Sequence, residues 1–265
     1  MCDQKTRLAT VLLAAAVFSP NLRAQTAGPS ADAKKQDAQS SANAPDFSGA
    51  WAVVGGSPSW DPSDPRGAKP EELSMTPWAM ARFKAARPPF GANATFDNTN
   101  DAVQKYCDPP GITRLYSYPW QFKLIQTPDM VYILFEFTGV WRPVALNRDH
   151  PKDPDSTWMG DSIGRYEGDT LVVDTVGFND KTWIDQVGHP HSDALHLIER
   201  FRRVDQDTLQ VSVTFEDPKA YTKSFTGKKV FKLSHSPMEV TLCSLSEMQS
   251  FQDEVMKPTT DSLHK

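Results

Sequence analysis

Residues 195–216 read LHLIERFRRVDQDTLQVSVTFE, and this stretch decides the fold. Two runs rich in β-branched and aromatic residues, 195–204 and 208–216, flank the polar turn 205–207. In the second run the odd-numbered positions from 209 to 215 are all apolar, and the even-numbered positions between them are polar. A period of two predicts a half-buried strand, and two such runs around a short polar turn predict a β-hairpin.

The same pattern extends outward from this stretch in both directions. Runs 161–166 and 170–178 flank Glu-Gly-Asp, runs 121–126 and 131–137 flank a Thr-Pro-Asp-Met turn, and 228–233 and 238–243 flank Ser-Pro. Residues 46–54 and 139–146 add two strands, and Pro143 in the latter suggests an edge or a bulge. Only 76–86 has a helical pattern, with Pro77 in the first turn, and it follows a long N-terminal loop. Ten short strands without helix-length crossovers predict an all-β, antiparallel barrel or sandwich.

Composition excludes several classes of protein. The chain has 265 residues, 39% of them hydrophobic, with a mean hydropathy of −0.49, which excludes a polytopic membrane protein. Its formal net charge of −5 has the wrong sign for a protein that coats nucleic acid. Dinucleotide-binding, P-loop and zinc-finger spacings are absent from the sequence. A nucleic-acid partner is therefore not expected.

The N-terminus has the features of an export signal. Lys5 and Arg7 precede an apolar run, 8–18, which is shorter than the roughly 20 residues that cross a bilayer. We predict a signal peptide over 1–24, a flexible linker over 25–45 and a single β-barrel domain over 46–265. The mature protein is then periplasmic or secreted, without stable membrane insertion.

Removal of residues 1–24 leaves two cysteines, Cys107 and Cys243. In an oxidising compartment the two thiols can form a disulfide, and two separate buried thiols are the alternative.

Two parts of the sequence resemble known families. Gly49-Ala50-Trp51 resembles the G-x-W opening of lipocalin-like (calycin-type) barrels, which implies a barrel of about 8–10 strands whose closed end is plugged by the tryptophan. The block 153–203, which contains GDTLVVDTVGFN, GHPHS and ER, resembles a largely uncharacterised family of exported bacterial β-proteins. Residues 107–111 and 216–222 extend that resemblance, which implies no catalytic assignment. Asp161 stands where that family usually has histidine.

The densest polar constellation is DQVGHPHSD at 185–193. Imidazole suits proton transfer near neutral pH, and a neighbouring carboxylate can fix its tautomer. We therefore predict His189 or His191 as acid or base, Asp185 or Glu199 as its orienting carboxylate, and Arg200 as the stabiliser of an anion. One alternative is a loop whose histidines only cap a barrel end. Another is a metal site using His-x-His with a later histidine and glutamate, similar to the cupin arrangement.

Several carboxylates share a predicted strand face with apolar residues, and they are candidates for a raised pKa or for structural ion pairs. Aromatic side chains near strand ends can line a ligand pocket, or they can fill the core. We predict the substrate-binding residues to be Trp158, Tyr166, Asp161, Asp174, Trp141 and Glu136.

Together these features predict a periplasmic barrel enzyme. It is expected to act by acid/base catalysis without a cofactor or metal, as a lyase or isomerase. Its partner is expected to be a small aromatic or hydrophobic molecule, such as a plant-derived phenolic. The alternatives are a non-catalytic binding or carrier protein for a small hydrophobic ligand, and a metal-dependent enzyme using the His-x-His loop.

Overall fold

The computed structural model describes residues 44–61, 73–95 and 98–244. Within these ranges nine strands form a closed barrel in which each strand lies beside the next, and the last closes against the first. The strands are β1 Gly49–Val53, β2 Phe122–Gln126, β3 Met130–Phe135, β4 Trp141–Leu146, β5 Asp161–Glu167, β6 Thr170–Val176, β7 His196–Asp205, β8 Thr208–Glu216 and β9 Phe225–Ser234. The all-β barrel is confirmed. The predicted signal peptide and nearly all of the predicted linker lie outside the described residues.

The β7–β8 hairpin pairs as its alternation predicts. Phe201 lies opposite Val211, and the register shifts only beside the turn, between Arg203 and Asp205. The apolar odd-numbered positions of β8 are fully buried. Because successive side chains of a strand point to opposite faces, the polar positions between them lie on the outer face.

The barrel departs from the predicted antiparallel order at one seam. Strands β4 and β5 run parallel and pair only through Ala145 with Ile163 and Leu146 with Gly164. The connection 147–160 crosses over without a helix. Pro143 lies in the part of β4 that pairs with β3 alone, where its missing N–H is tolerated.

The prediction of a final strand over 238–243 is wrong. This segment makes only an isolated parallel bridge, between Phe137 and Thr241. The Thr241 N–H donates to the Glu136 carbonyl at 3.0 Å, and the Thr138 N–H donates to the Thr241 carbonyl at 2.6 Å. The segment is therefore a tail anchored beside the end of β3.

The predicted helix is confirmed as α1, Pro77–Ala85. Thr76 caps it by accepting a hydrogen bond from the Ala79 N–H, and proline occupies the first turn, where no N–H is needed. Two further helices, α2 Ala102–Tyr106 and α3 Ile112–Leu115, were not predicted. They have five and four residues, too few for a helical period to show in the sequence.

The barrel interior is filled by side chains. Trp51 is fully buried, and its Nε1–H donates to the Phe47 carbonyl at 3.0 Å. Beyond the end of α3 the Tyr116 ring packs against four phenylalanine rings at centroid distances of 5.3–6.2 Å, those of Phe122, Phe135, Phe201 and Phe231. Because the interior is a packed core, a ligand site has to be sought outside it.

Cys107 and Cys243 form a disulfide across a sequence separation of 136, which confirms that the two thiols pair. The bridge joins the end of α2 to the C-terminal tail. Among the described residues no helix is long and apolar enough to span a membrane.

Candidate functional site

The histidine loop contains a buried aspartate–histidine pair. Asp185 Oδ2 lies 2.6 Å from His189 Nδ1, and Asp185 Oδ1 accepts hydrogen bonds from the backbone N–H groups of Val187 and His189. Burial alone would raise the pKa of Asp185. The charge of His189 and these hydrogen bonds outweigh burial and hold that pKa below its usual value. Asp185 is therefore an ionised carboxylate that orients the imidazole.

His189 keeps one nitrogen without a partner. Its Nε2 is buried and makes no hydrogen bond to the described residues, while the Phe83 ring stacks on the imidazole at a centroid distance of 4.7 Å. Since Nδ1 is engaged by Asp185, Nε2 is the ring nitrogen left without a partner among these residues. An unsatisfied buried polar atom costs about 1–3 kcal/mol, so its presence points to a role beyond packing.

His191 faces different partners. Its Nδ1 donates to the Ser192 carbonyl at 3.0 Å, and its Nε2 lies 2.5 Å from the Thr182 hydroxyl. Burial lowers the pKa of His191, which favours the neutral ring. Both ring nitrogens of His191 therefore have partners within the loop, which is the arrangement expected for a histidine that only caps a barrel end. In the described ranges, no group of three or more His, Cys, Asp or Glu side chains is arranged to hold a metal ion.

Glu199 and Arg200 do not join the histidine loop. Glu199 points into the barrel, where both its oxygens accept hydrogen bonds from Arg142, at 2.9 and 2.5 Å, and one accepts from the Tyr116 hydroxyl. Arg200 points outward and pairs with Glu167 at 2.8 Å on the exposed surface. Consecutive strand residues lie on opposite faces, so the two predicted roles cannot meet at one site.

The outer face carries a hydrogen-bonded row of six side chains, the histidine–carboxylate row. In order, it runs through Arg148, Asp161, His150, Asp174, His196 and Glu216. His150 and His196 share one oxygen of Asp174, at 3.1 and 2.8 Å. Their other ring nitrogens lie 2.7 and 3.0 Å from carboxylates. Two predicted residues, Asp161 and Asp174, are therefore brought together, but no imidazole nitrogen is left to act on a substrate.

The other predicted substrate-binding residues are dispersed. Glu136 accepts hydrogen bonds from the backbone N–H groups of Gln121 and Glu239, so it anchors the tail. The Tyr166 hydroxyl accepts a hydrogen bond from Gln126, and Trp141 is 59% exposed. Trp158 lines a shallow polar pocket of about 570 Å³ together with Asn179, Asp180, Lys181 and Asp193.

A larger apolar cavity, the aromatic cleft, lies outside the barrel. Its volume is about 690 Å³, and its wall includes Pro89, Phe90, Val103, Tyr118, Trp120 and Phe137. The Trp120 and Phe137 rings stack at 4.5 Å, and Tyr118 lies 4.6 Å from Phe137. The tail residues 241–244 close one side. None of the lining residues that the structure describes carries a charge.

Asp185 is connected to the aromatic cleft through its neighbour in the sequence. Gln186, which directly follows Asp185, lines the cleft. Asp185 and His189 themselves are not among the described residues that line it.

No protein-family model, curated protein or solved structure matches the chain. The residues that form the cleft were mostly missed in the sequence because distant segments build it. Trp120 stood out only as an aromatic residue near a strand end. The disulfide brings the tail to α2 across a separation of 136 residues, and no local pattern reports that contact.

Proposed function

We propose that this protein binds a small, mostly apolar or aromatic molecule in the aromatic cleft. The observation that carries the proposal is the cleft itself, about 690 Å³ with three aromatic rings in mutual contact and no charge on the described lining residues. Pockets for small ligands typically measure about 300–1,000 Å³ and combine apolar walls with a few polar groups. The polar side chains of the described lining are Gln104, Tyr118, Gln186, Thr241 and Ser244.

The test is the binding of N-phenyl-1-naphthylamine, an uncharged fluorescent probe. We expect saturable binding to the full chain. Trp120→Ala and Phe137→Ala should weaken binding about tenfold or more, because each removes a ring from the stacked wall. Trp141→Ala is the matched control, since this exposed tryptophan does not line the cleft. Absence of saturable binding, or equal weakening by Trp141→Ala, contradicts the proposal.

A second candidate function is acid/base catalysis on the bound molecule, as a lyase or isomerase. The observation that favours it is the Nε2 of His189, which has no partner among the described residues, while Asp185 engages Nδ1. His189 would be the base, and the surroundings of the imidazole would have to open, because Phe83 covers the ring.

The variant His189→Gln tests this second candidate, because glutamine keeps a donor for Asp185. It should retain binding of the probe yet lose conversion of a panel of phenolic and other aromatic substrates. His191→Gln is the matched control, since both ring nitrogens of His191 already have hydrogen-bond partners in the loop. Conversion that survives His189→Gln contradicts the catalytic role. Absence of any product with the wild type favours a binding protein.

A further inference from the structure

Gln186 presents a fixed amide to the aromatic cleft. Its Nε2 donates to the Ser117 carbonyl at 2.6 Å, and its backbone N–H donates to the Pro58 carbonyl at 2.9 Å. Because a carbonyl oxygen can only accept, the amide nitrogen must face Ser117. The amide oxygen of Gln186 is therefore directed away from that contact.

The Gln186 oxygen remains available as an acceptor. It makes no hydrogen bond within the described part of the chain. It is also not among the buried polar atoms that lack a partner, which include Gln121 Oε1 and His189 Nε2. The oxygen therefore keeps contact with accessible space. Gln186 is only 6% exposed, and the cleft is the described cavity that this residue lines.

The second glutamine of the lining does not discriminate in this way. Gln104 lies on α2, and no hydrogen bond in the described ranges fixes its side-chain amide. A freely rotating amide can offer either its nitrogen as a donor or its oxygen as an acceptor. The lining hydroxyls of Tyr118, Thr241 and Ser244 are each able both to donate and to accept. Among the described lining groups, Gln186 is therefore the one whose contact fixes it as an acceptor.

The surroundings disfavour a charged ligand. No described residue of the lining is an acid, a base or a histidine. Arg114 lies behind Tyr118, 5.6 Å from its ring centre, but its guanidinium is held by both oxygens of Asp101. Burial raises the pKa of Tyr118 to about 12, so its hydroxyl is uncharged near neutral pH. A carboxylate in the cleft would lose its hydration without gaining a counter-charge.

We infer that the aromatic cleft selects uncharged aromatic molecules that carry a hydrogen-bond donor, such as phenols. The amide oxygen of Gln186 accepts the hydrogen bond from that donor. The ligand ring covers the Trp120–Phe137 wall, and its O–H donates to Gln186 Oε1. This inference rests on the ligand cleft proposed above and adds the ligand class and the residue that determines it.

The test uses four probes of one shape: naphthalene, 2-naphthol, 2-methoxynaphthalene and 2-naphthoate. Their affinities are measured at pH 7 by displacement of N-phenyl-1-naphthylamine from the full chain. We expect 2-naphthol to bind about 5–10-fold more tightly than naphthalene or 2-methoxynaphthalene, the worth of one neutral hydrogen bond. The carboxylate 2-naphthoate should bind most weakly.

Gln186→Leu should abolish the preference for 2-naphthol over naphthalene and 2-methoxynaphthalene, whatever its effect on the affinity for naphthalene itself. Gln104→Leu is the matched control and should keep the preference. Thermal unfolding verifies that both variants fold, and the four-probe comparison on the wild type decides the matter if Gln186→Leu does not fold.

The outcomes separate the two proposals. If no probe binds, the proposed ligand cleft is wrong. If naphthalene binds but 2-naphthol and 2-methoxynaphthalene bind equally, the cleft stands and the inference about donors is overturned. Binding of 2-naphthoate as tight as that of 2-naphthol overturns it as well, as does a preference that persists in Gln186→Leu.

Discussion

Replacing Arg142 by Met is expected to lower the free energy of unfolding by about 3–5 kcal/mol, because it leaves Glu199 without its counter-charge inside the barrel. The guanidinium donates to both Glu199 oxygens, to Ser162 Oγ at 2.9 Å and to Thr175 Oγ1 at 2.7 Å. Both side chains of the pair are essentially inaccessible to water.

Two features moderate the loss. The Tyr116 hydroxyl still donates to Glu199 at 3.1 Å, and burial raises the pKa of Tyr116 well above its usual value, so this donor persists. The Ser162 and Thr175 hydroxyls lie 3.1 Å apart and can satisfy each other. We therefore expect a loss near the lower end of the range, about 3 kcal/mol.

The assay is urea unfolding followed by tryptophan fluorescence at pH 7. Arg200→Met is the matched control, because it makes the same chemical change at an exposed pair on the outer face of the same barrel and should have no measurable effect. The double variant Arg142→Met, Glu199→Leu should recover most of the loss, since no charge is left buried. The reasoning is refuted if Arg142→Met stays within about 1 kcal/mol of the wild type at an unchanged m-value, or if the double variant is no more stable than the single one.

Three further predictions concern pH and the disulfide. Burial would raise the pKa of Asp161, but hydrogen bonds from Arg148 and His150 outweigh it and lower that pKa. The contribution of Asp161 to stability is therefore present above about pH 4 and is lost on acidification. In Asp161→Asn, urea titrations should show a smaller loss of unfolding free energy at acid pH. Burial lowers the pKa of Lys229 to about 8, so the free energy of unfolding should rise between about pH 8 and 10.5, and Lys229→Met should remove that rise. Replacing Cys107 and Cys243 by Ser should cost about 5 kcal/mol, from the chain entropy of a 136-residue loop.

Each of these has a clear contrary result. If the free energy of unfolding falls equally on acidification in Asp161→Asn and in the wild type, that carboxylate is not a source of the pH dependence. An alkaline rise that persists in Lys229→Met assigns it to another group. A serine double variant that unfolds at the wild-type urea concentration shows that the bridge does not constrain the unfolded chain.

Strand positions were predictable where one face enters the core. In β7 and β8 the period of two reflects burial on one side, and the observed register follows it. In β6 three consecutive residues, Leu171, Val172 and Val173, are buried, so the alternation is interrupted there. The same alternation over 238–243 predicted a strand wrongly. Val240 and Leu242 are 64% and 68% exposed, because a single bridge and the disulfide anchor the tail without burying an apolar face.

The candidate site was predictable only as far as local sequence reaches. Asp185 and His189 lie four residues apart in one loop, and they do pair. Glu199 and Arg200 are consecutive residues of the predicted strand 195–204, so their side chains have to lie on opposite faces. The prediction that both serve one site therefore conflicted with the prediction of that strand. His150 was missed because the crossover 147–160 brings it to Asp161 and Asp174, and no periodicity reports where a crossover lies.

Stability and the proposed ligand binding depend on different parts of this molecule. The described barrel interior holds Arg142, Glu199 and packed aromatic rings, which contribute to stability. The aromatic cleft is instead assembled outside the barrel, and Cys243 forms part of its wall. Loss of the disulfide should therefore weaken ligand binding even in the folded protein, because it releases the tail from α2. Arg142→Met, in contrast, should leave the affinity of the folded fraction unchanged, since its partners face only the interior.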